Sequence, residues 1–150
     1  MNSFYNRLCS LLTSLTDGIK YDITNFSNAS ALLMSELSDI NWAGFYFIID
    51  GKLRLGPFQG KPACTSIEIG KGVCGSAAAE EKTLVVNNVH EFKGHIACDS
   101  ASNSEIVVPL KKNGAVFGVL DIDSPVFSRF NDEDKLGLEE FAKILERASK

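Results

Sequence analysis

The chain has 150 residues, of which 45% are hydrophobic and 23% charged, and its net charge is −4. This length and composition predict a globular protein with a single domain over residues 1–150. The charge balance argues against nucleic acid and anionic membranes as partners, and no apolar segment approaches the roughly 20 residues needed to span a bilayer.

Two helices are predicted before any strand. Residues 3–15 and 22–37 carry apolar side chains at three- and four-residue steps, which is typical of amphipathic helices. Asp22 is a suitable N-cap for the second helix. The N-terminus has no continuous apolar stretch followed by a small-residue cleavage site. We therefore expect a cytoplasmic protein whose four cysteines are thiols at rest.

The pattern then changes from helices to strands. Residues 42–49 are rich in aromatic and β-branched side chains, and residues 52–55 form the predicted return strand. Asp50-Gly51 between them is a strong signal for a hairpin turn. The prolines at 57 and 62 predict an irregular segment over residues 56–62.

Cysteines occur in the next two predicted elements. A short strand is expected over residues 64–69, beginning at Cys64, and a helix over residues 73–82. Cys74 falls in the first turn of that helix, where the aligned backbone N–H groups would lower the pKa of its thiol. The alternative is a packing role for a small side chain at this position. A further strand covers residues 84–86.

A long polar segment, residues 92–105, separates that strand from a second hairpin. The hairpin strands are expected over residues 105–110 and 115–123 around the turn Asn113-Gly114. A final helix follows, capped by Asn131 or Asp132. The whole order predicts an α+β fold with a central antiparallel sheet flanked by helices, with the two N-terminal helices and the C-terminal helix on one face.

The long segment carries the thiol with the strongest functional context. Cys98 lies in it beside His95 and Asp99, and a loop of this length inside a compact domain is usually functional or disordered. A redox nucleophile needs a resolving thiol, and both Cys64 and Cys74 can supply one. A zinc site formed by these three cysteines and a histidine is the alternative, although the spacing lacks the close pairs of structural zinc sites.

Three carboxylates are predicted to meet at one end of the second hairpin. Asp121 and Asp123 share a strand face because side chains alternate. Counting from a two-residue turn sets Glu105 opposite Ile122, so a shared face requires a bulge, which Pro109 makes reasonable. Such a cluster can bind a metal ion or hold a cationic group such as an ammonium, and the sequence leaves both open.

Trp42 and Tyr46 lie four residues apart on one strand and therefore on the same face. Phe45 and Phe47 fall on the opposite face and are expected to pack in the core. A Trp and a Tyr with polar tips can also line a small apolar pocket for a methyl or thioether group.

Four segments together resemble free methionine-(R)-sulfoxide reductase, a family of small GAF-domain enzymes. The resemblance covers about residues 42–134, and three cysteines, Trp42, Tyr46 and three acidic residues stand where that family has them. The segments are NWAGFYF (41–47), LGPFQGKPACTSIEIGKGVCG (55–75), HIACDSASNSEIVVPL (95–110) and GVLDIDSP (118–125).

The resemblance implies a GAF-like fold and a thiol mechanism. Cys98 would attack the sulfur of free methionine-(R)-sulfoxide and become a sulfenic acid. Cys64 would resolve it as a disulfide, with Cys74 as a second or alternative resolving thiol, and thioredoxin would reduce the disulfide. The family is homodimeric, and no bound cofactor or metal is expected.

The resemblance also implies roles for the substrate-binding residues. Glu105, Asp121 and Asp123 would hold the substrate ammonium or the protonated sulfoxide oxygen. Trp42 and Tyr46 would enclose the methyl and thioether end. Which carboxyl is the general acid stays open.

Two other functional classes compete with the enzyme. A sensory GAF module would bind a small ligand without turnover and tolerate Cys98→Ser, although no output domain is expected after the final helix. A metal-stabilised domain would carry stoichiometric zinc and lose its fold with a chelator.

Overall fold

The structure, a computed structural model, describes residues 1–96 and 101–150. In these ranges the chain forms six strands in one sheet and four α-helices. The strands are β1 (Trp42–Ile49), β2 (Lys52–Gln59), β3 (Ser66–Glu68), β4 (Leu84–Val86), β5 (Ser104–Lys112) and β6 (Ala115–Ser124). The helices are α1 (Ser3–Thr16), α2 (Asp22–Glu36), α3 (Gly72–Glu80) and α4 (Asp132–Ala148), with a short 3₁₀ helix at Val89–Glu91.

The sheet is antiparallel throughout these strands, in the order β3-β2-β1-β6-β5-β4. Side chains alternate between its two faces. One face, with Phe45 and Leu120, packs against α2 and α4, and α1 packs on these two helices. The other face, with Trp42 and Val107, is covered by α3. The predicted α+β class is therefore confirmed, with the two N-terminal helices and the C-terminal helix on one face.

Helices α1 and α4 are joined by a buried polar contact and a close packing contact. The Tyr5 hydroxyl donates a hydrogen bond to Asp134 at 2.6 Å. Asn131 and Asp134 form a capping box at the start of α4, which confirms Asn131 as the cap. The Tyr5 ring lies so close to Gly137 that a Cβ added there would sit 2.1 Å from the ring. Only glycine fits at this crossing.

Strand β2 is longer than predicted, because it continues through Pro57 to Gln59. Gly56 and Pro57 together stand opposite Phe45, so the proline occupies a bulge. Strand β3 pairs only with residues 52–54 of β2, which leaves the second half of β2 at an edge. A bulge at an edge is where a sheet tolerates a proline. The prediction of an irregular segment was wrong for residues 56–59.

The second hairpin contains the predicted bulge, but in β6 and not at Pro109, which pairs with Val119 in regular register. The register shifts between Leu110 and Lys111, which pair with Gly118 and Val116, so Phe117 is the extra residue. Glu105 consequently pairs with Asp123 rather than with Ile122. This shift by one residue places the Glu105 side chain on the same face as the two aspartates.

Several element bounds differ modestly from the predictions. Strand β3 begins at Ser66, two residues after Cys64. Asp22 is in the first turn of α2, and Tyr21 is the N-cap without a side-chain hydrogen bond, so the predicted Asp22 cap was wrong. Within residues 1–96 and 101–150, no helix has both the length and the apolar character required to cross a membrane.

Candidate active site

One cavity collects most of the predicted site residues. It lies between the start of α3 and the sheet face that α3 covers, and its empty space, mouth included, is about 520 Å³. The predicted site residues that line it are Trp42, Tyr46, Cys74, Glu105, Asp121 and Asp123.

The two remaining predicted residues are Cys64 and Cys98. Cys64 is half-buried and packs at the border of the core that includes Trp42 and Tyr46. Its carbonyl oxygen accepts a hydrogen bond of 2.9 Å from the Tyr46 hydroxyl. Cys98 lies outside the described residues. Ile96 and Ser102, which precede and follow Cys98 in the sequence, both line the cavity.

The three acidic residues come together through the register of β5 and β6. Glu105 pairs with Asp123, and Asp121 pairs with Val107 two residues further along β5. Directly opposed residues of an antiparallel pair share a face. Glu105 and Asp121 are each only 6% exposed. Within the described residues, Oδ1 of Asp121 is buried with no hydrogen-bond partner.

Burial dominates the electrostatics of this cluster. It raises the pKa of Glu105 well above its usual range, and the charges of Asp121 and Asp123 raise it further. Burial also raises the pKa of Asp121, but hydrogen bonds from Glu105, Cys74 and Asp123 counteract the rise. Burial therefore favours the protonated, neutral form in this cluster, most strongly at Glu105.

Cys74 has the opposite character from the one predicted. It occupies the first turn of α3, yet its pKa is raised well above the usual value by burial and then by Asp121 and Glu105. Its Sγ donates toward Oε2 of Glu105 at 4.0 Å. The prediction of a lowered thiol pKa was wrong, because desolvation and adjacent carboxylates outweigh the helix dipole.

Trp42 and Tyr46 form one wall of the cavity. Their rings stack with centroids 6.0 Å apart, and Trp42 also stacks on Phe58 at 5.2 Å. The Trp42 Nε1 donates to the carbonyl oxygen of Lys61 at 3.1 Å, as Tyr46 does to that of Cys64. The polar tips of both aromatic residues therefore hold the segment that carries Cys64. Both residues are 2% exposed, and they line the cavity.

Sequence reasoning missed several lining residues. Ser102 is buried and accepts a hydrogen bond of 3.2 Å from Nδ2 of Asn41. Gly72 has φ +61°, and the side chain of Ile96 lies 3.2 Å from where its Cβ would be. The pair of glycines around Lys71 was the available signal. Further lining residues are Pro62, Ala63, Ile67, Lys71, Val73 and His95.

Comparison with known proteins identifies the family. The family model of the GAF domain matches residues 24–148. The free methionine-R-sulfoxide reductase of Escherichia coli (strain K12) is 51% identical over 144 residues, which are 96% of this chain and 87% of that protein. The chain belongs to the free methionine-(R)-sulfoxide reductase family of GAF-domain proteins. The predicted GAF-like fold is thereby confirmed.

Solved structures of this family superpose closely on the chain. The reduced form of fRMsr of Staphylococcus aureus has a TM-score of 0.94 at 53% identity, covering 96% of this chain and 94% of that chain. The free methionine-R-sulfoxide reductase from Neisseria meningitidis in complex with its substrate has a TM-score of 0.93 at 42% identity, covering 96% and 87%. The likeness therefore extends over nearly the whole chain.

Proposed function

We propose that this protein reduces free L-methionine-(R)-sulfoxide to methionine. The observation that carries the proposal is the buried carboxyl cluster beside an aromatic wall. Glu105 and Asp121 offer hydrogen-bond and charge complementarity to an ammonium and a sulfoxide oxygen. Trp42 and Tyr46 offer apolar surface to the thioether end. The family membership supports the same substrate.

Cys98 is the proposed nucleophile. Ile96 lines the cavity, and Cys98 follows it by two residues, so covalent geometry keeps the two Cα atoms within about 7 Å. The Cys98 thiolate attacks the sulfoxide sulfur while a carboxylic acid protonates the sulfoxide oxygen. This attack forms a bond between the Cys98 Sγ and the substrate sulfur. The hydroxyl group then transfers from the substrate sulfur to the Cys98 Sγ as the S–S and S–O bonds break, so methionine leaves reduced by two electrons and Cys98 is oxidised to the sulfenic acid.

Glu105 is the proposed acid in that step. Burial and the two adjacent aspartates raise its pKa well above the usual value. This favours the protonated form, which can give its proton to a developing oxyanion. Asp121 and Asp123, on the same face, balance the substrate ammonium. An N-acyl or peptide-bound methionine lacks that ammonium, so the cluster would leave such substrates unbound.

Cys64 is the proposed resolving thiol. It attacks the sulfenic sulfur of Cys98, water leaves, and a disulfide forms. The hydrogen bond from Tyr46 to the carbonyl of Cys64 supports this choice, since it fixes the position of the resolving residue. Cys74 is a weaker choice because its raised pKa leaves little thiolate. A thioredoxin dithiol then reduces the disulfide, and we place the reaction in the cytoplasm in a homodimer without a bound cofactor.

The test is turnover of free methionine-(R)-sulfoxide, measured as NADPH consumption through thioredoxin and its reductase. The S epimer and N-acetyl-methionine-(R)-sulfoxide are compared in parallel. We expect turnover of the free R epimer only, lost in Cys98→Ser and retained in Cys9→Ser, whose buried thiol lies in α1. Binding of the amino acid without turnover by the fully reduced protein would instead indicate a ligand-sensing GAF module.

A further inference from the structure

The floor of the cavity contains three donor atoms in a tight group. The Sγ of Cys74 and one carboxylate oxygen each of Glu105 and Asp121 lie within 4.8 Å of one another, and all three residues are buried. In a tetrahedral zinc site, metal–ligand bonds of about 2.3 Å to sulfur and 2.0–2.2 Å to oxygen separate these donors by about 3.5 Å. The Sγ of Cys74 and Oε2 of Glu105 are 4.0 Å apart, so small side-chain rotations suffice to close the two ligands around an ion.

A second observation concerns the hydrogen bonds and ion pairs of these carboxylates. Oδ1 of Asp121, a residue that is 6% exposed, has no hydrogen-bond partner within the described residues. The ion pairs of that part of the chain join lysines and arginines to other carboxylates, and none includes Glu105 or Asp121. A buried carboxylate without a counter-charge is costly. A bound cation would supply the missing partner.

We propose that Cys74, Glu105 and Asp121 form a binding site for a thiophilic divalent cation, for which Zn²⁺ is the physiological choice. A thiolate with two carboxylates selects Zn²⁺ over Mg²⁺ and Ca²⁺, which prefer oxygen ligands alone. Water from the cavity completes the coordination. On binding, the Cys74 thiol and the Glu105 carboxylic acid release their protons to solvent.

The ion and an amino acid exclude one another at this site. Under the proposed function, on which this consequence rests, the substrate ammonium needs the same carboxylates, and Glu105 must keep its proton. The ion therefore acts as an inhibitor and not as a cofactor. This site differs from the zinc site considered from the sequence, because it uses one cysteine and does not involve Cys64 or Cys98.

Co²⁺ is the probe, because a thiolate ligand gives it a sulfur-to-metal charge-transfer band in the near ultraviolet. The Cys64→Ser/Cys98→Ser double variant removes the two thiols of the proposed redox pair and leaves Cys74 and Cys9. We expect this variant to bind one Co²⁺ per chain with that band and to release it to Zn²⁺. Adding Cys74→Ser should abolish the band, while adding Cys9→Ser should leave it unchanged.

Two outcomes would overturn the proposal of a cation site. One is the absence of the charge-transfer band in the double variant, and the other is its persistence after Cys74→Ser is added. If circular dichroism shows that the Cys74→Ser variant does not fold, Asp121→Asn is used in its place. We expect Asp121→Asn to weaken the Co²⁺ affinity at least tenfold. An unchanged affinity would contradict the proposal. These readouts need no turnover, so a failed reductase assay leaves them valid.

The mutual exclusion of the ion and the amino acid is tested by adding methionine to the Co²⁺-loaded double variant, with alanine as the control. Both amino acids chelate Co²⁺ in solution to a similar degree, but only methionine carries the thioether chain. We expect methionine to remove the band at concentrations where alanine does not. Equal effects of the two would overturn the claim of a shared site.

Discussion

Among single residues, Glu105 combines a position suited to proton transfer with burial that lowers the stability of the fold. Burial and two adjacent aspartates oppose its ionisation, and a one-unit rise in a buried carboxyl pKa corresponds to about 1.4 kcal/mol. We expect Glu105→Gln to raise the free energy of unfolding at pH 7 by about 1 kcal/mol. The same change should lower kcat/KM by roughly 100-fold or more, because the general acid is lost.

Glu91→Gln is the matched control, since Glu91 is exposed and should change neither quantity. Urea unfolding followed by circular dichroism gives the stability, and the coupled NADPH assay gives kcat/KM. A Glu105→Gln variant that is less stable than the parent, or that keeps full activity, would contradict the assignment of a buried, proton-carrying acid.

The acidic and cysteine residues differ in how far the sequence predicts them. Alternation along β6 places Asp121 and Asp123 on one face, and the need for a bulge to bring in Glu105 was predictable from the turn. The pKa of Cys74 was not, because it depends on burial and on carboxylates distant in sequence. A local pattern predicts the helix position of a thiol but not the groups packed around it.

At the scale of elements, one hydrogen bond joins β1 to the segment that carries Cys64. We expect Tyr46→Phe, which removes the donor to the Cys64 carbonyl, to slow disulfide formation several-fold while leaving the first sulfenic acid step nearly unchanged. Tyr5→Phe is the control, because it also removes a buried hydroxyl, one that donates to Asp134, but on the opposite face of the sheet. Rapid quenching with thiol counting measures both steps.

Equal slowing by the two tyrosine variants would mean that general destabilisation, not the position of Cys64, controls the step.

The contact of α1 with α4 predicts that a glycine-to-alanine change in a helix lowers the stability of the protein. Replacing a helical glycine by alanine normally stabilises a helix by about 1 kcal/mol. At Gly137 the new Cβ would meet the Tyr5 ring, so we expect Gly137→Ala to destabilise the protein by about 1–3 kcal/mol. Lys135→Ala, at an exposed position of α4, should be near neutral. Urea unfolding distinguishes the two, and stabilisation by Gly137→Ala would contradict the packing.

Element types were predictable where the periodicity was long and less so at irregular points. The helices and the Asn113-Gly114 hairpin follow directly from their patterns. The extension of β2 through Pro57 was missed, because a proline is compatible with a strand only when the position is a bulge at an edge. That information comes from which strands pair, and not from the segment itself.

At the scale of the whole molecule, the sheet separates stability from chemistry. The face under α1, α2 and α4 holds the large apolar core, whereas the face under α3 holds the cavity and the acidic residues. The antiparallel class and the side on which α1, α2 and α4 pack were predictable from hairpins and helix patterns. The closure of α3 over the acidic residues was not, because it depends on packing between segments far apart in sequence. A single domain over residues 1–150 stays a prediction.

In the proposed mechanism, each chain reduces one sulfoxide with Cys98 and Cys64. The most direct measurement is a single turnover of the fully reduced protein with free methionine-(R)-sulfoxide and no reductant, followed by quantification of methionine and mass-spectrometric mapping of disulfides. We expect one methionine per chain and a Cys64–Cys98 disulfide. Cys9 and Cys74 should remain free thiols, which an alkylating reagent labels after denaturation. No methionine, or a disulfide that includes Cys74 in place of Cys64, would contradict the account.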